Sequence, residues 1–219
     1  RPFFFFFSKA AATLRVLTRS RRSNATTSAK NMPRILAVAG SYREHSYNKR
    51  VLNIAAEGAR NAGAEVTVID LRDFPFPIYD ADMQADGAFD ENALRLQDVF
   101  NNHDGFLISS PEYNGGIPGG FKNAIDWLSR SNDKYSMYGP IKGKTAALIT
   151  ASPGQFGGIR CLAHLRGVFT IMGVHVLPAE VAVAFVGQKF NGDAAEMTDE
   201  KTKHILESLG ASLAGVLKH

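Results

Sequence analysis

The chain has 219 residues, of which 45% are hydrophobic, and a formal net charge of +4. That length suits one globular domain with a tail, and no apolar run approaches the ~18 residues that a membrane-spanning helix needs. A single cysteine, Cys161, excludes an intrachain disulfide and a metal site built from cysteines.

The positive charge comes from the first 33 residues, which hold seven basic residues and no acidic ones. Residues 34–219 carry 18 basic and 21 acidic residues, so they offer no basic surface for nucleic acid. Residues 1–33 are rich in Arg, Ser and Thr, as an organelle transit peptide is. An over-extended translation is the alternative, because the first methionine is Met32. We expect disorder over 1–33 and one domain over 34–219. The expected location is the cytoplasm, or a mitochondrion or plastid if residues 1–31 are a transit peptide.

Short apolar runs alternate with amphipathic segments along the rest of the chain. In chain order, the pattern predicts strand Arg34–Gly40, a helix over about 46–62, strand Ala64–Leu71, a helix over about 90–102, strand Gly105–Ser109, a helix ending near Arg130, strand Lys144–Ser152, a helix over about 158–172, strand His175–Ala184 and a helix over about 198–217. The proline-rich segment "DFPFPIYDADM" reads as a loop, and the proline in the last strand favours a sheet edge. Five strands alternating with five helices predict an α/β fold with a parallel sheet.

Ligand sites in such a sheet lie beyond the carboxyl ends of the strands, where the strand order reverses. With the order 2-1-3-4-5, that point falls between the first and third strands. The loops after Gly40, Ser109 and Ser152 are therefore expected to meet in space. We call them the first, second and third loops.

The first loop, "GSYREHSYN", combines short hydrogen-bonding side chains with one arginine. Ser41, Ser46 and Asn48 can hydrogen-bond an anion, Arg43 adds a cation with a fork of donors, and the free N–H groups of a helix start favour negative charge. This composition predicts a site for a phosphate monoester. The plainer alternative is that Ser46 caps the helix and Arg43 is solvated. The G-x-G-x-x-G fingerprint of dinucleotide sites is absent.

The second loop, "PEYNGGIPGG", offers a surface for a planar heterocycle. Tyr113 can pack against a ring system, while Asn114 and backbone amides meet its polar rim, and the glycines let the backbone approach closely. A phosphate in the first loop and a planar ring in the second suggest flavin mononucleotide. Alternatively, Tyr113 is a buried structural residue and the glycines only shape the turn. Glu112 can also hold loop backbone or a neighbouring subunit rather than the flavin.

Three stretches resemble the signatures of the NADPH-dependent FMN reductase family, a flavodoxin-like group with chromate, quinone and azo reductases. "GSYREHSYN" looks like its GSxRxxSxN motif, "PEYNGGIPGGFKNAIDWLSR" its second motif, and "GGIRCLAHLR" its third. The resemblance spans Ile35 to about Leu217. It implies a flavodoxin-like three-layer sandwich, FMN as cofactor and NAD(P)H as co-substrate. One departure is Ala163, which stands where the family often has an aromatic residue.

The resemblance also implies roles for individual residues. The residues expected at the FMN phosphate and ribityl chain are Ser41, Arg43, Ser46, Tyr47 and Asn48. Those expected along the isoalloxazine are Pro111, Glu112, Tyr113 and Asn114, with Ser152 closing the third side. No catalytic acid or base and no metal ligand is predicted, because the flavin carries the chemistry.

The predicted function is an FMN-dependent NAD(P)H oxidoreductase that passes electrons to small-molecule acceptors: quinones, chromate, azo- or nitro-aromatics, or ferric chelates. A flavodoxin-type electron carrier and a non-catalytic flavin-binding sensor are the alternatives. The family further implies a homodimer or homotetramer, with residues near Arg130 or in "DFPFPIYDADM" approaching the partner's flavin. No nucleic-acid or membrane partner is expected.

Overall fold

The computed structural model describes residues 32–85, 89–192 and 196–218. The segment 1–31, which we interpret as a disordered leader or an over-extended translation, lies outside the described residues. Met32 and Pro33 belong to the described part: Pro33 is buried, and its carbonyl accepts a hydrogen bond from the Glu65 N–H at 2.9 Å. Across the described ranges, none of the helices has the length and apolar character required to cross a membrane.

Five strands and six α-helices form the described part of the chain. In chain order they are β1 (Arg34–Ala39), α1 (Tyr47–Asn61), β2 (Glu65–Ile69), α2 (Ala81–Ala85), α3 (Glu91–Asn101), β3 (Gly105–Ser110), α4 (Gly119–Ser129), β4 (Thr145–Ala151), α5 (Ile159–Ile171), β5 (His175–Val183) and α6 (Glu200–Val216). All five predicted strands and all five predicted helices are confirmed to within a few residues at their ends.

All strand pairs are parallel, and the order is β2-β1-β3-β4-β5. The predicted flavodoxin-like topology is therefore confirmed. β5 lies at an edge, as its proline indicates, and its register with β4 shifts between the pairs Ala146–Val176 and Leu148–Glu180. Pro178 falls inside that irregularity, where a missing N–H breaks no regular ladder bond.

The sheet separates two apolar cores, which is why its inner strands are apolar along their whole length. On one face α1 and α6 pack through residues such as Val51 and Leu213. On the other face α3, α4 and α5 contribute Leu96, Ile125 and Phe169. Helices on both faces leave the strand ends as the places where loops can gather around a ligand.

The segment predicted as a plain loop is more structured than expected. A 3₁₀ turn over Leu71–Asp73 leads into it, and the short helix α2 begins at Ala81 near its end. Outside this segment, a second 3₁₀ turn covers Val186–Lys189. The indole N–H of Trp127 donates to the Pro77 carbonyl at 2.8 Å, which fastens this segment to α4. The short elements at the ends of the proline-rich segment were not predicted, because prolines interrupt the hydrophobic periodicity that indicates a helix.

Candidate functional site

The first, second and third loops meet at the carboxyl ends of β1, β3 and β4, as predicted. Together they line an open cleft of about 80 Å³. Nine of the ten predicted site residues line it: Ser41, Arg43, Ser46, Tyr47, Asn48, Pro111, Glu112, Tyr113 and Ser152. Asn114 does not. Ala151 and Pro153, which sequence reasoning did not select, complete the lining. They flank Ser152 in the third loop, and that adjacency is the signal that could have found them.

The serines of the first loop orient its backbone. Ser46 is the N-cap of α1, and its Oγ accepts from the Asn48 N–H at 3.2 Å. The Oγ of Ser41 accepts from the Arg43 N–H at 3.4 Å. Both serines are buried, and each hydroxyl keeps its own hydrogen for donation. The capping role foreseen as the plain alternative for Ser46 is thus present, and it is compatible with contact to a ligand.

The first loop also presents uncommitted donors. Within the described residues, the guanidinium of Arg43 makes no hydrogen bond or ion pair, whereas nearby Lys49 is paired with Asp70 at 2.6 Å. The backbone N–H groups of His45 and Tyr47 likewise donate to no described residue. A cation and free amides at a helix start form a surface that favours an anion.

Asn48 works differently from the serines, because its side-chain amide is already engaged. Its Oδ1 accepts from the Ser109 hydroxyl at 3.0 Å and from the Ala151 N–H at 2.9 Å. Its Nδ2 donates to the Ala151 carbonyl at 2.9 Å. Asn48 thereby joins α1 to the ends of β3 and β4, and it shapes the floor of the cleft.

Tyr47 lines the cleft, and its ring also packs against residues outside it. The ring centroid lies 6.0 Å from that of Phe190 and 5.3 Å from the Arg50 guanidinium carbon. Neither partner lines the cleft. This packing fixes the wall of the first loop without committing polar groups of the cleft.

The second loop turns through a two-residue hairpin. Tyr113 and Gly116 exchange backbone hydrogen bonds of 3.1 and 3.0 Å, and Asn114 and Gly115 between them have φ of 52° and 77°. Two positive φ values define the turn type that Asn-Gly favours, since both residues tolerate the left-handed region. Tyr113 is 50% exposed, so it is not the buried structural tyrosine of the alternative interpretation.

Glu112 connects the second loop to α5. Its Oε2 accepts from the N–H groups of Arg160 and Cys161 at 3.0 and 3.1 Å, and its Oε1 accepts from the Arg160 guanidinium at 2.9 Å. Burial alone raises the pKa of Glu112, but the hydrogen bonds from Cys161 and Arg160 together lower it below its usual value. The carboxyl is therefore ionised at neutral pH.

The third loop is tied to the end of β5. Ser152 donates its N–H to the Val183 carbonyl at 3.0 Å and accepts from the Val186 N–H at 3.1 Å. Its hydroxyl oxygen accepts from the Gly154 N–H at 3.1 Å. Backbone bonds on both sides of Ser152 hold this wall of the cleft in place.

Further room lies directly beside the cleft. An open groove of about 430 Å³ shares Ser41, Arg43 and Tyr113 with it and continues to the start of α4. Among the described residues, no group of His, Cys, Asp and Glu is arranged to hold a metal ion. The free donors of the first loop suit an organic ligand with an anionic group.

A family profile for NADPH-dependent FMN reductases matches residues 33–188. A quinone reductase of Escherichia coli K12 is 33% identical over 172 residues, which cover 77% of this chain and 86% of that protein. An NAD(P)H:quinone oxidoreductase of Solanum tuberosum is 33% identical over 181 residues, covering 80% and 88%. Among solved structures, the flavoenzyme NAD(P)H:(acceptor) oxidoreductase FerB of Paracoccus denitrificans superposes with a TM-score of 0.71 at 28% identity, covering 85% of this chain and 97% of FerB.

The chain therefore belongs to the NADPH-dependent FMN reductase family. The predictions of an NAD(P)H-dependent enzyme and of FMN as its cofactor are confirmed at the level of this family. The residues that hold the cofactor, the electron acceptor and the assembly state follow as proposals.

Proposed function

We propose that this chain is an NAD(P)H:quinone oxidoreductase whose cleft holds FMN with the phosphate in the first loop. The observation that carries the proposal is the set of uncommitted donors in that loop, Arg43 and the N–H groups of His45 and Tyr47, of which Arg43 and Tyr47 line one cleft with Tyr113. A phosphate ester satisfies all of these donors at once.

The residues of the cleft fit FMN in their chemistry. The cleft of about 80 Å³ is large enough only for a small group such as the phosphate, and the adjoining groove of about 430 Å³ lies within the roughly 300–1,000 Å³ of small-molecule sites. Ser41, Arg43 and Ser46 supply hydrogen-bond donors for the phosphate. Pro111 and Tyr113 supply apolar surface for the ring, with Ser152 on the opposite wall. Asn114 shapes the turn that presents Tyr113, and its direct contact with the ring stays a prediction.

Bound FMN supplies hydride-transfer chemistry, taking a hydride from NAD(P)H and reducing the acceptor. The chain itself contributes binding and orientation. Glu112 is the one carboxyl among the residues that line the cleft, and its lowered pKa with three hydrogen bonds makes it a poor proton donor. We therefore assign no acid or base, and the acceptor takes its protons from solvent.

Planar aromatic acceptors, quinones among them, fit the surface around the cleft better than chromate. Tyr113, Phe156 and Ile159 are each at least 50% exposed, so apolar and aromatic surface borders the cleft and α5. A planar aromatic acceptor gains contact with such surface, whereas chromate does not. The relatives named quinone reductase and NAD(P)H:quinone oxidoreductase support the same choice.

We also propose a homodimer or homotetramer. Ile78, in the proline-rich segment, is 83% exposed, and the Arg130 guanidinium lies 5.1 Å from the Tyr79 ring beside it. The exposed isoleucine lies in the segment expected to approach the partner's flavin. Light scattering of the FMN-bound protein tests this: a monomer mass at micromolar concentration with full activity would contradict it.

The enzyme is tested by titrating purified protein with FMN and then following NAD(P)H oxidation with a quinone. We expect one FMN per chain and quinone-dependent turnover. Flavin binding without NAD(P)H oxidation would instead favour the electron-carrier or sensor alternatives. Failure to bind FMN would contradict the proposal. The cellular compartment remains a prediction from composition: the cytoplasm, or an organelle if residues 1–31 are a transit peptide.

A further inference from the structure

Helix α5 begins without a cap of its own. Its N-cap residue is Gly158, which has φ of 90° and no side chain to accept the first N–H groups. A Cβ at this position would lie 2.8 Å from the Thr150 Cβ, closer than Cβ atoms pack. The usual capping residues, Ser, Thr, Asp and Asn, are thus excluded by close packing of the third loop against β4. The acceptor for the helix start has to come from elsewhere.

Glu112 supplies that acceptor from a different loop. Its Oε2 receives the N–H groups of Arg160 and Cys161, the second and third residues of α5, which lie 48 and 49 positions away in sequence. A side-chain cap accepts from these same two positions in an ordinary helix. The negative charge also meets the positive end of the helix dipole. The Glu112 side chain is only 12% exposed, so water does not compete freely for these bonds.

Arg160 reinforces the connection between the two loops. Its guanidinium donates to Glu112 Oε1 at 2.9 Å and lies 4.7 Å from the ring centroid of Phe156 in the third loop. Its Cδ also lies 3.6 Å from where a Cβ on Gly115 would stand. One arginine side chain thus contacts both loops.

We infer that Glu112 is a positioning residue: it caps α5 in trans and thereby fixes the distance between the two walls of the flavin cleft. Its sequence neighbours Pro111 and Tyr113 line one wall, and Ser152 and Pro153, ahead of α5, line the other. A cleft held at its working width before binding loses less entropy when the ligand enters. The inference rests on the proposed function for its ligand, but the connection itself exists without one.

The test compares Glu112→Gln with Glu180→Gln, a matched control in β5 whose partner also lies on α5. Glu180 pairs with Arg166 of α5 at 2.6 Å, and neither residue lines the cleft. Glutamine removes the charge in both variants and leaves side-chain length nearly unchanged. Glu112→Asp, one methylene shorter, serves the same comparison should Glu112→Gln fail to fold.

The first readout needs no cofactor. In FMN-free protein, we expect amide hydrogen exchange over residues 153–162 to accelerate about tenfold in Glu112→Gln, because a neutral amide with one acceptor oxygen caps the first turn more weakly than the carboxylate. Glu180→Gln should leave that segment unchanged. Unaltered exchange over 153–162 in Glu112→Gln would overturn the inference, whether or not the protein binds FMN.

The second readout is FMN affinity, measured by flavin fluorescence. We expect the Kd to rise about tenfold in Glu112→Gln and about threefold in Arg160→Leu, which keeps both backbone hydrogen bonds to Glu112. The Kd of Glu180→Gln for FMN should stay within about twofold of the parent value, because this surface ion pair contributes little and lies away from the cleft. If Glu112→Gln bound FMN as tightly as Glu180→Gln does, Glu112 would have no role in positioning the cleft walls, and the inference would be overturned. If the parent protein binds no FMN, the proposed function fails and the exchange experiment alone decides.

Discussion

Replacing Asn48 with Ala should destabilise the protein strongly, even without any ligand. The Asn48 side chain makes three buried hydrogen bonds, two with the backbone of Ala151 and one with the Ser109 hydroxyl. Each is worth about 1 kcal/mol net, and alanine also strands the Ala151 N–H and C=O in a dry environment. We expect the free energy of unfolding to fall by about 3–4 kcal/mol.

Urea unfolding of the FMN-free protein measures this loss. The single tryptophan, Trp127, is fully buried and gives a fluorescence signal for global unfolding. Asn92→Ala is the control, because that amide also makes two hydrogen bonds, with the Pro75 carbonyl and Arg95, but lies where water can replace them. The control should lose less than about 1 kcal/mol. A loss below about 1 kcal/mol in Asn48→Ala would refute the structural role assigned to this amide.

Asn48→Asp separates that structural role from ligand binding. The carboxylate can still accept from Ser109 and Ala151 but can no longer donate to the Ala151 carbonyl. We expect a loss of stability at least as large as in Asn48→Ala, because the buried carboxylate oxygen meets the Ala151 carbonyl oxygen, and weaker FMN binding, because the new charge repels the proposed phosphate. Unchanged FMN affinity in Asn48→Asp would place the phosphate away from the first loop.

Three further predictions concern other parts of the chain. Arg43→Ala should weaken FMN binding by about 1.5–3 kcal/mol, the scale of a hydrogen bond to a charged group, and fluorescence titration checks this. Gly158→Ala should lower the free energy of unfolding by about 2 kcal/mol or more, because φ is 90° and the new Cβ meets Thr150. Gly167→Ala in mid-α5 has open space and should raise it by up to about 1 kcal/mol. Equal melting temperatures for the two variants would contradict both predictions. Burial lowers the pKa of Lys144 to about 8, so the folded chain loses this proton before the unfolded chain does. Stability should therefore rise between pH 8 and about 10.4, and Lys144→Met should lack that rise in urea unfolding at each pH.

Strand positions were predictable because inner parallel strands are apolar throughout and end where turn residues begin. Gly105–Ser110 illustrates this: all six residues are buried, and the polar second loop follows at once. The short helix α2 was not predictable, since five residues carry less than two helical turns of pattern. Its position depends on contacts such as that between Trp127 and Pro77, which are 50 residues apart in sequence.

The cleft was predictable as a set of residues but not as a set of roles. The rule that loops gather where strand order reverses brought nine residues together. Asn114 was expected at the flavin ring because it follows Tyr113 in a polar and aromatic stretch. In the structure its positive φ gives it a role in the turn. The engagement of Asn48 with Ala151, 103 positions away, and of Glu112 with α5 depends on tertiary packing. No local pattern encodes such contacts.

The central claim is that the first loop binds the phosphate of FMN, and the most direct test compares FMN with riboflavin. The two ligands share the ring and ribityl chain, so only the phosphate distinguishes them. Titration of the purified protein should give one FMN per chain and a Kd for FMN at least about tenfold below that for riboflavin, since several charge-assisted bonds depend on the phosphate. Equal affinities for FMN and riboflavin, or no binding of either, would contradict the account.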